Sequence, residues 1–260
     1  MNILEREMIE ILKELRDEYG CFQIKAEFEA EGARMEELMR LKDITAFLDL
    51  PIIMKIGGVE SVTDAYNCLL IGVASIIAPM VETPFALQKY ISLIDKMIAK
   101  DNAEDIDFYF NMETITSYNN FSAMLEVPGL EHIDGVTVGR SDLAGSLNLD
   151  RSAVDSEQFL DICRNTFKMA RAKGLACGLG GTVSARSIDF IKTLNSEKLL
   201  DKFETRKVVF HADAAEYGEI ILRRALEFEL LWLKSKRRYY SRVKVEDENR
   251  IEILEKRLKS

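Results

Sequence analysis

Short apolar runs alternate with longer segments of helical period along most of the chain. FQIKAEF, PIIMKIG, SIIAPM, DFYFNMET, DGVTVGR, LACGLGG and RKVVFHA read as strands. Segments with apolar residues three or four apart follow them. Helices are expected from about Arg34, from about Glu60 and from near Asp213. Strands joined by crossover helices make a parallel sheet. SIIAPM, DGVTVGR, LACGLGG and KVVF are almost continuous in apolar or small residues, as strands covered on both faces are. Seven such strands in this length favour an α/β fold of the (β/α)8 TIM-barrel type over an open doubly wound sheet. The first strand-to-helix turn lacks GxGxxG, and no GxxxxGK followed by Ser or Thr occurs anywhere, which removes the usual dinucleotide and P-loop signals.

The two ends of the chain break this rhythm. MNILEREMIEILKELRDEYG mixes acidic and apolar positions at helical spacing, so residues 1–20 are expected to form an extra N-terminal helix and not a leader peptide. The barrel is assigned to residues 21–225. From Ala225 to the end the sequence has neither Gly nor Pro, is highly charged, and keeps apolar residues at helical spacing. One or two helices projecting from the barrel are predicted there, a C-terminal helical extension over 226–260. Leu230, Leu231, Trp232, Leu233, Ile253, Leu254 and Leu258 offer a surface that a neighbouring subunit would cover. The basic cluster from Lys234 to Arg242 suits a solvated helix face or a subunit contact better than a grip on an anionic partner.

Composition narrows the function further. At 260 residues and 47% hydrophobic, the chain can bury one large core. A net charge of −9 argues against nucleic acid and anionic membrane surfaces as partners. No apolar run approaches the roughly 20 residues of a membrane span. Cys21, Cys68, Cys163 and Cys177 are scattered, with no CxxC pair, and read as reduced thiols of a cytoplasmic protein.

In a barrel the C-terminal ends of the strands line the active face. Lys25, Glu27, Glu29 and Glu31 fall at or beyond the first strand, Lys55 with Gly57 and Gly58 at the second, and Glu82 after the third. Glu113 ends the fourth, Arg140 and Asp142 the fifth, Gly180 and Gly181 the sixth, and Arg206 flanks the last. Neighbouring strands lie about 4.8 Å apart, so Glu113 and Asp142 can converge on one point. Two carboxylates completed by water suit Mg²⁺, while an ion pair of Glu113 with Arg140 is the plain alternative. The only histidines are His132 and His211, and no pair of them is spaced for zinc. The glycines either admit a substrate anion to backbone amides or simply make tight turns.

APMVET (Ala78 to Thr83), NMET (Asn111 to Thr114) and DGVTVGRSDLAGSL (Asp134 to Leu147) resemble, in order and spacing, the signature of the HpcH/HpaI aldolase and citrate lyase β-subunit family. The resemblance spans about residues 21 to 215. It implies that Glu113 and Asp142 ligate Mg²⁺ or Mn²⁺, and that the ion stabilises the enolate of a pyruvate-like unit during carbon–carbon cleavage or formation. It also implies a small-molecule 2-oxo acid or acyl-CoA substrate and a homo-oligomer, trimer or hexamer. A phosphoenolpyruvate-using relative, or a binding or assembly protein on a retained barrel, are the alternatives.

The sequence departs from the family where substrate and base are expected. The D-x-E-H motif of the aldolase branch reads Glu29-Ala30-Glu31-Gly32 here, so its His position is Gly32. The substrate-gripping arginine corresponds to Lys55. Catalytic roles therefore fall to Lys55, Glu29, Glu31 and Arg140. Substrate binding falls to Lys25, Lys55, Gly57, Gly58, Arg140, Gly180 and Gly181.

Overall fold

The computed structural model describes residues 1–258. Eight strands form a closed barrel in chain order: β1 (Cys21–Glu27), β2 (Ile52–Lys55), β3 (Ser75–Ala78), β4 (Asp107–Met112), β5 (Gly135–Gly139), β6 (Ala176–Gly180), β7 (Lys202–Glu204) and β8 (Val208–His211). Ten α-helices accompany them among the described residues: α1 (Ile3–Tyr19), α2 (Met35–Ala46), α3 (Val62–Ile71), α4 (Pro84–Met97), α5 (Lys100–Ala103), α6 (Ile115–Met124), α7 (Arg140–Ser146), α8 (Glu157–Ala172), α9 (Ile188–Ser196) and α10 (Glu219–Leu258). The α/β barrel with an added N-terminal helix is as expected. The seven runs read from the sequence are β1 to β6 and β8.

The closing strands differ from expectation. Strands β1 to β7 run parallel, but β8 is antiparallel to both β7 and β1. Only Thr205, Arg206 and Lys207 separate β7 from β8. A link this short can make a hairpin but never the crossover a parallel strand needs. The amide of Thr205 accordingly donates to the Val208 carbonyl at 2.9 Å. RKVVFHA therefore enters the barrel at the active end and leaves at the other. His211 lies at the far end, stacked on Phe22, and takes no part in the site.

Strand alternation sorts the side chains into two cores. Ile52, Met54, Ile76, Phe108, Phe110, Val136, Val138 and Leu179 point outward and join the helices in the main core. Ile53, Ile77, Tyr109 and Val209 point inward and form a small apolar plug. Toward the open end the inward positions become polar: Lys25, Glu27, Lys55, Asn111, Lys202 and Glu204, all buried.

The terminal segments pack together. Asn2 caps α1 in a reciprocal box with Glu5, and Gly20 ends it in the left-handed conformation. The α1 face of Met8, Ile11, Leu12 and Leu15 is buried, as is the α10 face of Ile221, Leu222, Ala225, Phe228 and Trp232. The predicted boundary at 225/226 is not a break, because α10 is one continuous 40-residue helix beginning inside the barrel segment. Beyond Tyr240 every described residue of α10 is exposed.

Candidate active site

The C-terminal strand ends surround a cavity of about 700 Å³. Lys25, Glu27, Glu29, Lys55, Asn111, Glu113, Asp142, Gly180, Gly181 and Glu204 line it, a size and polarity ordinary for small-molecule sites. Leu222, Ala225 and Leu226 of α10 form an apolar stretch of its wall. The helix expected to project away from the barrel thus begins as part of the site.

Glu113 follows β4 directly, and Asp142 sits in the first turn of α7, just after β5. Both line the cavity. Glu113 is 2% exposed. Its Oε1 accepts from the Met80 amide at 2.8 Å, and its Oε2 accepts from Asn111 Nδ2 at 3.0 Å. Met80 adopts φ 50°, a left-handed conformation unusual for a residue with a side chain, and so brings its N–H to the carboxylate. A Cβ on Gly139 would stand 2.6 Å from Glu113 Oε2, so only glycine lets Glu113 lie against β5. Burial pushes the Glu113 carboxyl up, and the nearby Asp142 charge adds to that; Lys55 and the hydrogen bonds oppose it. Asp142 is exposed to the cavity and forms no hydrogen bond or ion pair among the described residues.

The threonines of the two E-T motifs have a local purpose. Thr83 and Thr114 are the N-caps of α4 and α6, accepting from the amides of Ala86 and Ser117. Thr114 also donates to Glu82 Oε1 at 2.7 Å. Glu82 thereby ties two neighbouring loops together instead of facing substrate.

Lys55 Nζ lies 2.9 Å from Glu29 Oε2 and 3.9 Å from Glu113 Oε2. Burial opposes its charge, but Glu113 and Glu29 outweigh burial and keep it an ammonium. Lys25 Nζ bridges Glu204 Oε1 at 2.5 Å and Glu27 Oε1 at 3.2 Å. Glu27 Oε2 and Glu204 Oε2 are buried with no hydrogen-bond partner, as is Asn111 Oδ1. Burial works against the Glu27 charge, yet Lys25, Lys55 and Arg206 together hold its carboxyl below the usual range.

Several expected site residues lie elsewhere. Arg140 is fully buried and points away from the cavity. It donates to Asp155 Oδ1 at 2.5 Å and to the carbonyls of Gly180, Gly181 and Val154, and its guanidinium lies over the Phe190 ring. It pairs with neither Glu82 nor Glu113, because its planar fork is already filled by these partners. Glu31 does not line the cavity; it is paired with buried Lys207 and with Arg206. Gly57 and Gly58 lie outside the cavity as well, in a turn where the Gly57 amide donates to Asp64. Gly180 and Gly181 do line it, but packing requires them. A Cβ on Gly180 would meet Glu204 Oε1 at 2.9 Å, and one on Gly181, which adopts φ 80°, would stand 2.4 Å from the Ser141 nitrogen. Sequence reading missed Glu204 altogether, since a three-residue strand flanked by charges carries no periodic signal.

The family model for HpcH/HpaI aldolase/citrate lyase matches residues 28–187. Among curated protein sequences nothing matches the chain. Solved structures share the fold. The crystal structure of an HpcH/HpaI aldolase from Desulfitobacterium hafniense DCB-2 is 13% identical, with a TM-score of 0.61 over 78% of this chain and 82% of that one. Citrate synthase SbnG is 18% identical, with a TM-score of 0.62 over 90% and 91%. Macrophomate synthase is 13% identical, with a TM-score of 0.52 over 90% of each chain.

Proposed function

Because the chain belongs to the HpcH/HpaI aldolase/citrate lyase family, we propose that it is a divalent-metal-dependent carbon–carbon lyase or aldolase acting on a pyruvate-like 2-oxo acid or a related acyl-CoA. The observation that carries this reading is the pair Glu113 and Asp142 in one cavity, with the charge on Glu113 made costly by burial and by its neighbour. A divalent cation would offset that cost. Two carboxylates, with the remaining positions left to water and substrate oxygens, fit Mg²⁺ or Mn²⁺; no group of three or more His, Cys, Asp or Glu side chains suited to a metal occurs among the described residues. When bound, such an ion supplies a Lewis acid for the charge that develops on the keto oxygen as the carbon–carbon bond breaks.

The chain's own residues divide the remaining work. Asn111 and the Met80 amide fix both oxygens of Glu113. Lys55, kept charged beside Glu29, receives the substrate carboxylate as a point charge. Buried Leu222 and Ala225 give one wall an apolar face. The cavity volume exceeds what a three-carbon acid fills and leaves room for a second fragment. The exposed apolar residues Ile251, Leu254 and Leu258 on the outer part of α10 support assembly with further copies of the chain. Four buried thiols suit a reducing, cytoplasmic setting, and no described helix is long and apolar enough to cross a membrane.

Pyruvate, oxaloacetate and phosphoenolpyruvate test the reading. Oxaloacetate should be cleaved to pyruvate and CO₂ in the presence of Mg²⁺ or Mn²⁺, and EDTA should abolish the reaction. Turnover unaffected by EDTA, or no turnover of any 2-oxo acid, would contradict it.

A further inference from the structure

Cleavage of a carbon–carbon bond next to a hydroxyl needs a group that takes the hydroxyl proton, and enolisation of pyruvate needs one that takes a methyl proton. The position where the aldolase branch keeps a histidine is Gly32. The acidic residues around it are committed: Glu29 to Lys55, Glu31 to Lys207 and Arg206. Glu27 faces three cations that hold it ionised, which makes it a weak proton acceptor. That leaves one cavity-lining carboxylate with a free, buried oxygen and a single cation in contact.

We propose that Glu204, positioned by Lys25, is the proton-transferring residue of this site. Glu204 lines the cavity and is buried. Its Oε1 is fixed by Lys25 Nζ at 2.5 Å, while Oε2 has no hydrogen-bond partner. The missing side chain at Gly180 makes the space in which it lies. Below it, Lys202 Nζ sits 3.4 Å from the Tyr109 ring centroid, also without a hydrogen-bond partner, within electrostatic reach of both Glu204 and Lys25. This group stands apart from the family signature: Lys25, Lys202 and Glu204 all fall outside residues 28–187, the segment that matches the family model. The cleft retains the family's carboxylate pair and carries acid–base residues supplied by β1 and by the β7–β8 hairpin.

The assignment rests on the lyase reading above. In the cleavage direction the substrate O–H bond breaks and its proton joins Glu204 Oε2. The O–H electrons form the new carbonyl, the carbon–carbon bond breaks, and its electron pair passes to the 2-oxo fragment as an enolate. Glu204 then returns the proton to the methylene carbon. In pyruvate alone, the same carboxylate removes and returns a methyl proton, which D₂O replaces by deuterium.

Two reactions separate this assignment from the reading beneath it. Oxaloacetate loses CO₂ without first giving up a proton, whereas pyruvate exchange begins with proton removal. With Mg²⁺ present, Glu204→Gln should slow methyl exchange, followed by proton NMR, by about 100-fold. That loss should exceed its loss of oxaloacetate cleavage at least about tenfold, and Lys25→Met should show the same imbalance. Residual cleavage in these variants also reports that they are folded. Wild-type exchange in Glu204→Gln, or equal losses in both reactions, would overturn the assignment while leaving the lyase reading intact. No metal-dependent cleavage by the wild type would overturn that reading and this assignment with it.

Discussion

Burial pushes the Lys202 amine down to about 8 from the ordinary 10.5, although Glu204 and Asp107 pull the other way. Below that value the folded protein carries a buried, unpaired charge. Between the two values the unfolded chain binds more protons than the folded one, so stability rises with pH. The contribution is on the order of 3 kcal/mol. Lys202→Met should lack this part of the slope and should gain most over wild type at pH 7, with the gain fading toward pH 10. Urea unfolding across that range measures it, and parallel slopes for the two proteins would contradict the account. Arg140 teaches a different lesson at the same scale. Its place after β5 was legible in GRSDL, but its direction was not. A long side chain at a strand end can turn into the cavity or behind it, and only the Asp155 carboxylate and three carbonyls brought by later loops decide which.

At the scale of elements, β3, β5 and β6 were legible because strands covered on both faces keep nearly continuous apolar or small-residue runs, and β1, β2 and β4 because each short β-rich run is followed by a segment of helical period. The strand β7 was not. Its inward residues Lys202 and Glu204 are charged, and only the glycines opposite them and Lys25 across the barrel make that tolerable. Missing it reversed the direction expected of β8 in a parallel sheet. The terminal helix was legible as a helix, but neither its continuity from Glu219 nor its place in the cavity wall was. Its outer part rests on i,i+4 pairs such as Lys244–Glu248 and Lys256–Glu252, each worth only about 0.3–0.5 kcal/mol. Removing residues 243–260 should therefore leave the barrel folded, with Tm changed by no more than a few degrees, and should lower the assembled mass seen by light scattering. An unchanged mass, or a full-length chain that is monomeric at micromolar concentration, would contradict the role given to this helix.

The whole molecule joins a recognisable half-site to an unfamiliar one. The strand ends from β3 to β5 carry motifs that resemble a family, and the family model matches across them. The capping threonines, Gly139 and the paired carboxylates there form a unit whose parts lie close in sequence. The opposing side is assembled from β1, the β7–β8 hairpin and the start of α10, segments far apart in the chain whose meeting only the closed barrel defines. The central claim is that Glu113 and Asp142 together hold a divalent cation. Titration of Mn²⁺ into the wild type and Asp142→Asn, followed by calorimetry, tests it without a substrate. One site should be found per chain, and the substitution should weaken it by at least about tenfold, since removing one of two charged ligands costs more than 1.4 kcal/mol. Equal affinity in the two proteins, or no binding to the wild type, would contradict the claim.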